Sequence, residues 1–211
     1  PAILRSMASA RKAARANALG EAIERYVFAN WWDDTSTKYE IEEFSSYSRK
    51  LLVLSQIINS APKHSPLERL WVITPTFSGY KNYTVKIILA QYKNRGYVTG
   101  SAGGTYKEIN ATMIRASGEL FRHMSALDRM RKFQKEPSDF YQKRLAWFGF
   151  GDGDSLVQSR LSTNGGKIIC LPELEIDTII HHKLEDKIAV HRCLFKNQPP
   201  FLGGPIERLC L

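Results

Sequence analysis

Three charged residues near the N-terminus have the types and spacing needed to bind a metal ion and a phosphate. Glu21, Glu24 and Arg25 lie three and four positions apart, a spacing that makes side chains neighbours on a helix surface. Two carboxylates one turn apart can share a divalent cation, and an adjacent guanidinium can bind a phosphate. The same residues also fit an ordinary salt-bridged helix face exposed to solvent, and this segment alone leaves both interpretations open.

A second segment repeats part of the first. The sequence Ala-x-Gly-Glu at 18–21 recurs at 116–119, where it ends on Glu119, and an Arg-Ala pair occurs at 15–16 and again at 115–116. The repetition predicts two related halves, about 1–95 and 96–211, whose equivalent helices face each other across a shared cleft. Chance similarity between two Ala-rich helices is the alternative.

The elements that must position these residues follow from the hydrophobic periodicity. Helical spacing predicts helices over 5–30, 39–59, 106–131 and 138–148, and a short helix over 173–182. Runs of β-branched residues predict strands over 70–74, 83–90, 167–171 and 188–194. The strand over 83–90 is almost wholly apolar, as expected of a strand covered on both faces. Helices that alternate with strands indicate a mixed α/β fold, with one domain over 1–211.

A glycine-rich stretch at 96–105 precedes the third predicted helix and is expected to be a turn. Backbone N–H groups that glycine exposes at a helix start form a natural anion site. Ser101, Gly103 and Gly104 are therefore candidates for phosphate binding.

Composition limits the classes of protein. The chain has 211 residues, 43% of them apolar and 24% charged, which is typical of a globular protein. A net charge of +9 suits a partner rich in phosphate or carboxylate. The basic residues are scattered rather than interleaved with aromatics on one element, which argues against nucleic-acid binding.

Cysteine and histidine usage argues against two kinds of site. The three cysteines are widely spaced without a Cys-x-x-Cys pair, which argues against a disulfide framework and is compatible with a reducing, cytoplasmic compartment. The histidines at 181, 182 and 191 lack thiolate or carboxylate neighbours at ligand spacing, so zinc is not expected. No apolar run reaches membrane-spanning length. A signal peptide is not expected either, although the chain opens on Pro1.

Several of these segments together resemble the YcaO-domain family. The run Asn17–Tyr26 is similar to that family's first Glu-x-x-Glu-Arg motif, and the segments 100–105 and 116–119 resemble its central section. The run 165–171, followed by Val190–Arg192, is similar to its closing section. The matching segments cover about half of the chain.

The resemblance implies an enzyme that uses ATP and Mg²⁺ to activate a backbone amide of a ribosomally made peptide. A substrate Cys, Ser or Thr attacks the preceding carbonyl, ATP phosphorylates the oxyanion, and loss of phosphate leaves a thiazoline or oxazoline; relatives make amidines or thioamides. The implied metal ligands are Glu21, Glu24 and Glu119. The implied ATP or phosphate contacts are Arg25, Glu108, Arg122 and Arg192, and no catalytic residue is assigned. Many relatives need a partner subunit that grips the substrate's leader, so a homo- or hetero-oligomer is expected.

One departure from the family keeps alternatives open. The second motif reads Glu-Leu-Phe-Arg-His at 119–123 where the family repeats Glu-x-x-Glu-Arg. A metal ligand is thus replaced by a cation, Arg122, and His123 follows it. The resemblance is accordingly that of a short, divergent or incomplete member. The alternatives are a non-catalytic YcaO-like subunit that binds peptide or partner, and a basic nucleic-acid-binding protein.

Overall fold

A computed structural model describes residues 2–44, 67–92, 96–183, 188–199 and 205–208. These ranges contain four helices and eight strands, which confirms the mixed α/β class. The helices are α1 (Ala2–Asp33), α2 (Ile109–Lys132), α3 (Phe140–Gly149) and α4 (Asp154–Ser162). The strands are β1 (Tyr39–Phe44), β2 (Leu67–Pro75), β3 (Phe77–Ser78), β4 (Tyr83–Tyr92), β5 (Tyr97–Thr105), β6 (Ile169–Cys170), β7 (Leu174–Lys183) and β8 (Ile188–Phe195).

Four strands form the central sheet, in the order β1-β2-β4-β5. All three pairings are antiparallel, and β5 lies at one edge of the sheet as described. Outside this sheet, β3 pairs with β6 in parallel and β7 pairs with β8 in an antiparallel ladder. The edge position of β5 leaves alternate backbone groups of that strand to be satisfied by side chains.

The central sheet separates two hydrophobic cores. Because successive strand residues point to opposite faces, Ile87 and Leu89 of β4 pack in the core of α1, whereas Ile88 and Ala90 pack in the core of α2. All four side chains are fully buried. The prediction that this apolar strand is covered on both faces is therefore confirmed.

Helix α1 lies between the sheet and the β7–β8 ladder. Its residues Leu19, Ile23 and Val27 belong to the same core as Phe195 of β8, whose ring meets that of Tyr26 edge-on at 5.5 Å between centroids. This packing holds the polar face of α1, with Glu21 and Glu24, beside the edge of the sheet. The described helices include none long and apolar enough to cross a membrane.

The expected elements are confirmed in part. The long helices over 5–30 and 106–131, the helix over 138–148, and the strands over 70–74, 83–90 and 188–194 are present. The strand expected over 167–171 is reduced to β6.

Three predicted elements are wrong. Residues 39–44 form β1 and not a helix, while the rest of that predicted helix, 45–59, lies outside the described residues. The predicted turn at 96–105 contains the strand β5, and the predicted helix over 173–182 is the strand β7. The kinship of the two halves stays a prediction; α1 and α2 pack on opposite faces of one sheet.

Candidate functional site

A cleft of about 730 Å³ lies where α1, α2 and the edge strand β5 meet. Nine of the ten residues singled out from the sequence line it, and Arg192 does not. Its charged lining residues come from both helices and from the segment between β5 and α2: Glu21, Glu24, Glu108, Glu119, Arg25, Arg115 and Arg122. The structure thus brings together acidic and basic groups that lie about a hundred positions apart in the chain.

Two glutamates, one from each helix, are hydrogen-bonded to the same residue of β5. The hydroxyl of Ser101 donates to Glu24 Oε1 at 2.6 Å, and the backbone N–H of Ser101 donates to Glu119 Oε2 at 2.8 Å. The backbone N–H of Gly103 donates to Glu24 Oε2 at 2.9 Å. The outward N–H groups of the edge strand therefore hold both carboxylates against the same short segment of β5.

Glycine at two positions of β5 lets both helices come this close. A Cβ on Gly103 would collide with the backbone carbonyl of Gly20 in α1, and a Cβ on Gly100 would collide with backbone atoms of Ala116 and Leu120 in α2. The glycines are therefore required by packing, and they lie in a buried strand. The anion site is expected at a turn, whereas these residues lie in a strand, and the N–H groups of residues 101 and 103 donate to carboxylates. Phosphate binding by Ser101, Gly103 and Gly104 stays a prediction.

On the acidic side of the cleft, Glu24 lies near two other carboxylates, those of Glu119 and Glu21. The pKa of Glu24 is raised from 4.5 to about 7, mainly by burial and also by the nearby charges of Glu119 and Glu21, against the lowering effect of its hydrogen bonds from Ser101 and Gly103. A carboxyl group held in this state gains from any cation that binds beside it. The arrangement can therefore bind a divalent cation that displaces a proton.

The basic side contains one residue that sequence reasoning did not assign. Arg115 donates from Nη2 to the carbonyl of Gly103 at 3.0 Å and lines the cleft. The available signal was the repeated Arg-Ala pair, whose first Arg, Arg15, also makes an ion pair.

Two further cleft residues contact the acidic groups. Arg25 forms an ion pair with Glu21 one turn away. Arg122 lies 3.9 Å from Glu119, between Nη2 and Oε1, and its side chain is 75% exposed. Glu108, at the outer end of the cleft, accepts a hydrogen bond from the Thr105 hydroxyl at 3.2 Å.

His123 has a structural position, turned away from the cleft. It is buried, its Nδ1 lies 2.6 Å from the carbonyl oxygen of Thr99, and its Nε2 contacts the hydroxyl of Tyr141. Because a carbonyl can only accept, Nδ1 carries the proton and Nε2 accepts from the tyrosine. Burial lowers the pKa of His123, which agrees with a neutral ring. The His123 side chain therefore satisfies the Thr99 carbonyl, a backbone group at the edge of β5.

Arg192 and a cluster of three residues on the β7–β8 ladder lie apart from the cleft lining. Arg192 is on β8 opposite Thr178, with an exposed side chain. Asp177, His191 and Cys193 form a cluster whose potential ligand atoms all lie within 4.8 Å of one another. The expectation that His191 has no thiolate or carboxylate neighbour is therefore wrong.

Comparisons of the chain with protein-family models, with curated proteins and with solved structures found no match. The resemblance to the YcaO-domain family consequently carries no support from these comparisons. The argument for function depends on the cleft itself.

Proposed function

We propose that the cleft binds ATP with Mg²⁺ and that the protein activates a peptide backbone amide by O-phosphorylation, in the manner of the YcaO-domain family it resembles. The observation that carries the proposal is the convergence of Glu24 and Glu119, from two helices, on Ser101. This convergence occurs inside a cleft that also contains Arg25, Arg115 and Arg122.

The residues present fit a magnesium ion. Mg²⁺ prefers carboxylate oxygens and commonly uses one or two protein carboxylates together with phosphate oxygens and water. Glu24 and Glu119 supply the carboxylates, with Glu21 nearby on α1. The raised pKa of Glu24 favours a cation here, because a bound ion would stabilise the ionised carboxylate, which burial and the neighbouring carboxylates disfavour.

The arginines fit the phosphates. The Arg122 side chain is 75% exposed and its contact with Glu119 is long at 3.9 Å, so it can extend toward a ligand. Arg115 is held by the Gly103 carbonyl and is thus oriented before any ligand binds. Guanidinium groups and metal ions neutralise the charge that develops in phosphoryl transfer, which is the chemistry that ATP with Mg²⁺ supplies.

The departures at residues 122 and 123 have separate explanations within this proposal. Arg122 replaces a metal ligand with a phosphate ligand, so that one ion and one additional guanidinium occupy the place of a second ion. His123 takes no part in ligand binding, because both its ring nitrogens are engaged with Thr99 and Tyr141. The peptide substrate and the phosphorylation of its backbone amide are both proposed from the family resemblance.

Nucleotide binding by the purified protein is the direct test. ATP is titrated calorimetrically with and without Mg²⁺, and hydrolysis is measured with and without a Cys- and Ser-rich peptide. Glu24→Gln and Glu119→Gln should each abolish the Mg²⁺-dependent part of ATP binding. Glu136→Gln is the matched control, because Glu136 is exposed and lies outside the cleft lining.

Each outcome assigns a function. Turnover that depends on Mg²⁺ and on both glutamates supports the enzyme. ATP binding without turnover, unaffected by peptide, supports the non-catalytic subunit. Absence of ATP binding refutes the proposal, and steeply salt-dependent binding to generic DNA in its place favours the nucleic-acid-binding protein.

A further inference from the structure

The cluster on the β7–β8 ladder has a geometry that the cleft does not explain. Asp177 of β7 is the direct cross-strand partner of Cys193 in β8, and His191 lies two residues before Cys193. Residues two apart on a strand share a face, so the three side chains meet above one surface of the ladder. The signal in the sequence is a His-x-Cys pair in a strand, which becomes complete only with the strand register.

Three donors point at one oxygen atom. Asp177 Oδ1 lies 2.6 Å from His191 Nε2, accepts from Cys193 Sγ at 3.7 Å and accepts from Arg15 Nε at 3.0 Å. The His191 side chain is only 8% exposed, and Cys193 is 6% exposed. A nearly buried imidazole and thiol therefore meet a carboxylate whose side chain is 30% exposed and can be reached from solvent.

We propose that Asp177, His191 and Cys193 form a binding site for a single zinc-class divalent ion. Imidazole nitrogen, thiolate sulfur and carboxylate oxygen are the ligand types that Zn²⁺ takes. Three protein ligands leave a fourth tetrahedral position for water or another ligand. The ion replaces the hydrogens that His191 and Cys193 now direct at Asp177.

Arg15 is the supporting residue of this site. It contacts both oxygens of Asp177, with Nε 3.0 Å from each, and its Nη2 pairs with Oδ2. When Oδ1 turns to the ion, Arg15 keeps Oδ2 and fixes the carboxylate, as outer partners of metal ligands commonly do.

Proton release accompanies binding. The thiol of Cys193 must lose its proton to become a ligand, and the neutral His191 ring must carry its hydrogen on Nδ1 so that Nε2 binds the ion. Burial, together with Asp177, raises the pKa of Cys193 to about 11. The affinity for the ion should therefore increase with pH across the neutral range.

Cobalt(II) is the probe, because its absorption spectrum shows which kinds of ligand bind it and in what geometry. Titration of the full chain with Co²⁺ should give a thiolate-to-cobalt charge-transfer band and tetrahedral d–d bands that saturate at one ion per chain. His191→Ala should weaken binding by more than the about 10–100-fold that is typical of outer-shell partners. Cys193→Ser should remove the charge-transfer band, whereas Cys170→Ser should keep it, because Cys170 is exposed and outside the cluster.

The cobalt spectrum of the unsubstituted protein tests the proposal even if a variant fails to fold. A cobalt spectrum without a charge-transfer band, or a band lost in Cys170→Ser, overturns the proposal. Glu24→Gln should leave the thiolate-to-cobalt charge-transfer band unchanged, because no cysteine is among the described residues that line the cleft, so that failure of the ATP cleft and failure of this site are distinguishable.

Discussion

Gly20 of α1 and Gly103 of β5 lie backbone against backbone. A Cβ on Gly20 would come within 3.1 Å of the Gly103 carbonyl oxygen, and a Cβ on Gly103 would collide with the Gly20 carbonyl. This contact is what sets Glu24, one turn beyond Gly20, against the N–H of Gly103. The cleft therefore depends on the absence of two side chains as much as on the charged groups that line it.

Gly103→Ala should destabilise the fold, because the added methyl group must push α1 away from the sheet. We expect a loss of about 1–3 kcal/mol in the free energy of unfolding, as in overpacked cores. Denaturant unfolding measures it. Gly118→Ala is the control: a Cβ there meets nothing within 4 Å, and alanine should stabilise α2 by about 0.5–1 kcal/mol. Equal effects of the two substitutions would contradict the contact.

Glu24→Gln should stabilise the protein at high pH. The pKa of Glu24 is raised from 4.5 to about 7, so the folded state holds a proton that the unfolded state has released, and stability falls as pH rises between these values. The difference amounts to about 3 kcal/mol at most. Glutamine keeps both partners, donating to the Ser101 hydroxyl and accepting from the Gly103 N–H.

The measurement is the unfolding free energy of both proteins at pH 4.5 and pH 8. The stability of Glu24→Gln relative to the unsubstituted chain should increase between the two values. An unchanged difference would show that Glu24 ionises normally. If Glu24→Gln is more stable than the unsubstituted chain at neutral pH but has lost Mg²⁺-dependent ATP binding, Glu24 serves ligand binding at a cost in stability.

His123 should make an opposite contribution to the pH dependence. Its pKa is lowered by burial, so the unfolded chain takes up a proton first, and stability is lost as pH falls below the ordinary histidine value of about 6.5. His123→Gln should remove this acid sensitivity. Nitrogen-15 NMR should show a neutral ring protonated at Nδ1; a protonated Nε2 would contradict the bond to the Thr99 carbonyl.

Arg122→Ala should weaken ATP binding without unfolding the protein. The side chain is 75% exposed, so the change in stability should stay within about 0.5 kcal/mol. Loss of a charge-assisted bond to phosphate should weaken binding about tenfold. Arg129→Ala is the control, because Arg129 is also exposed on α2 but lies outside the cleft lining. Equal affinities of the two variants would remove Arg122 from the proposed site.

Local periodicity is sufficient to predict the elements that are buried on one face or on both faces. The pattern of α1 and α2 predicted long helices, and the apolar run of β4 predicted a strand covered on both faces. The spacing of Glu21 and Glu24 likewise placed two carboxylates on one helix face. These features depend on neighbours within one element, which the sequence contains in full.

The glycine-rich strand and the β7–β8 ladder could not be read in the same way. Glycine has a poor strand propensity, so the sequence predicts a turn over 96–105, yet α1 and α2 pack so closely on β5 that no side chain fits at Gly100 or Gly103. In 174–183 the apolar residues fit a short helix equally well, and only pairing with β8 decides for a strand.

The charged residues, the helices that carry them and the presence of a buried strand between helices can all be read from the sequence. The convergence of Glu24 and Glu119 on Ser101, the position of Arg115 beside them and the contact of Asp177 with Cys193 become visible only in the folded chain. These contacts depend on sheet register and on helix-to-strand distance. Both are set by packing between residues far apart in the chain, which no local pattern encodes.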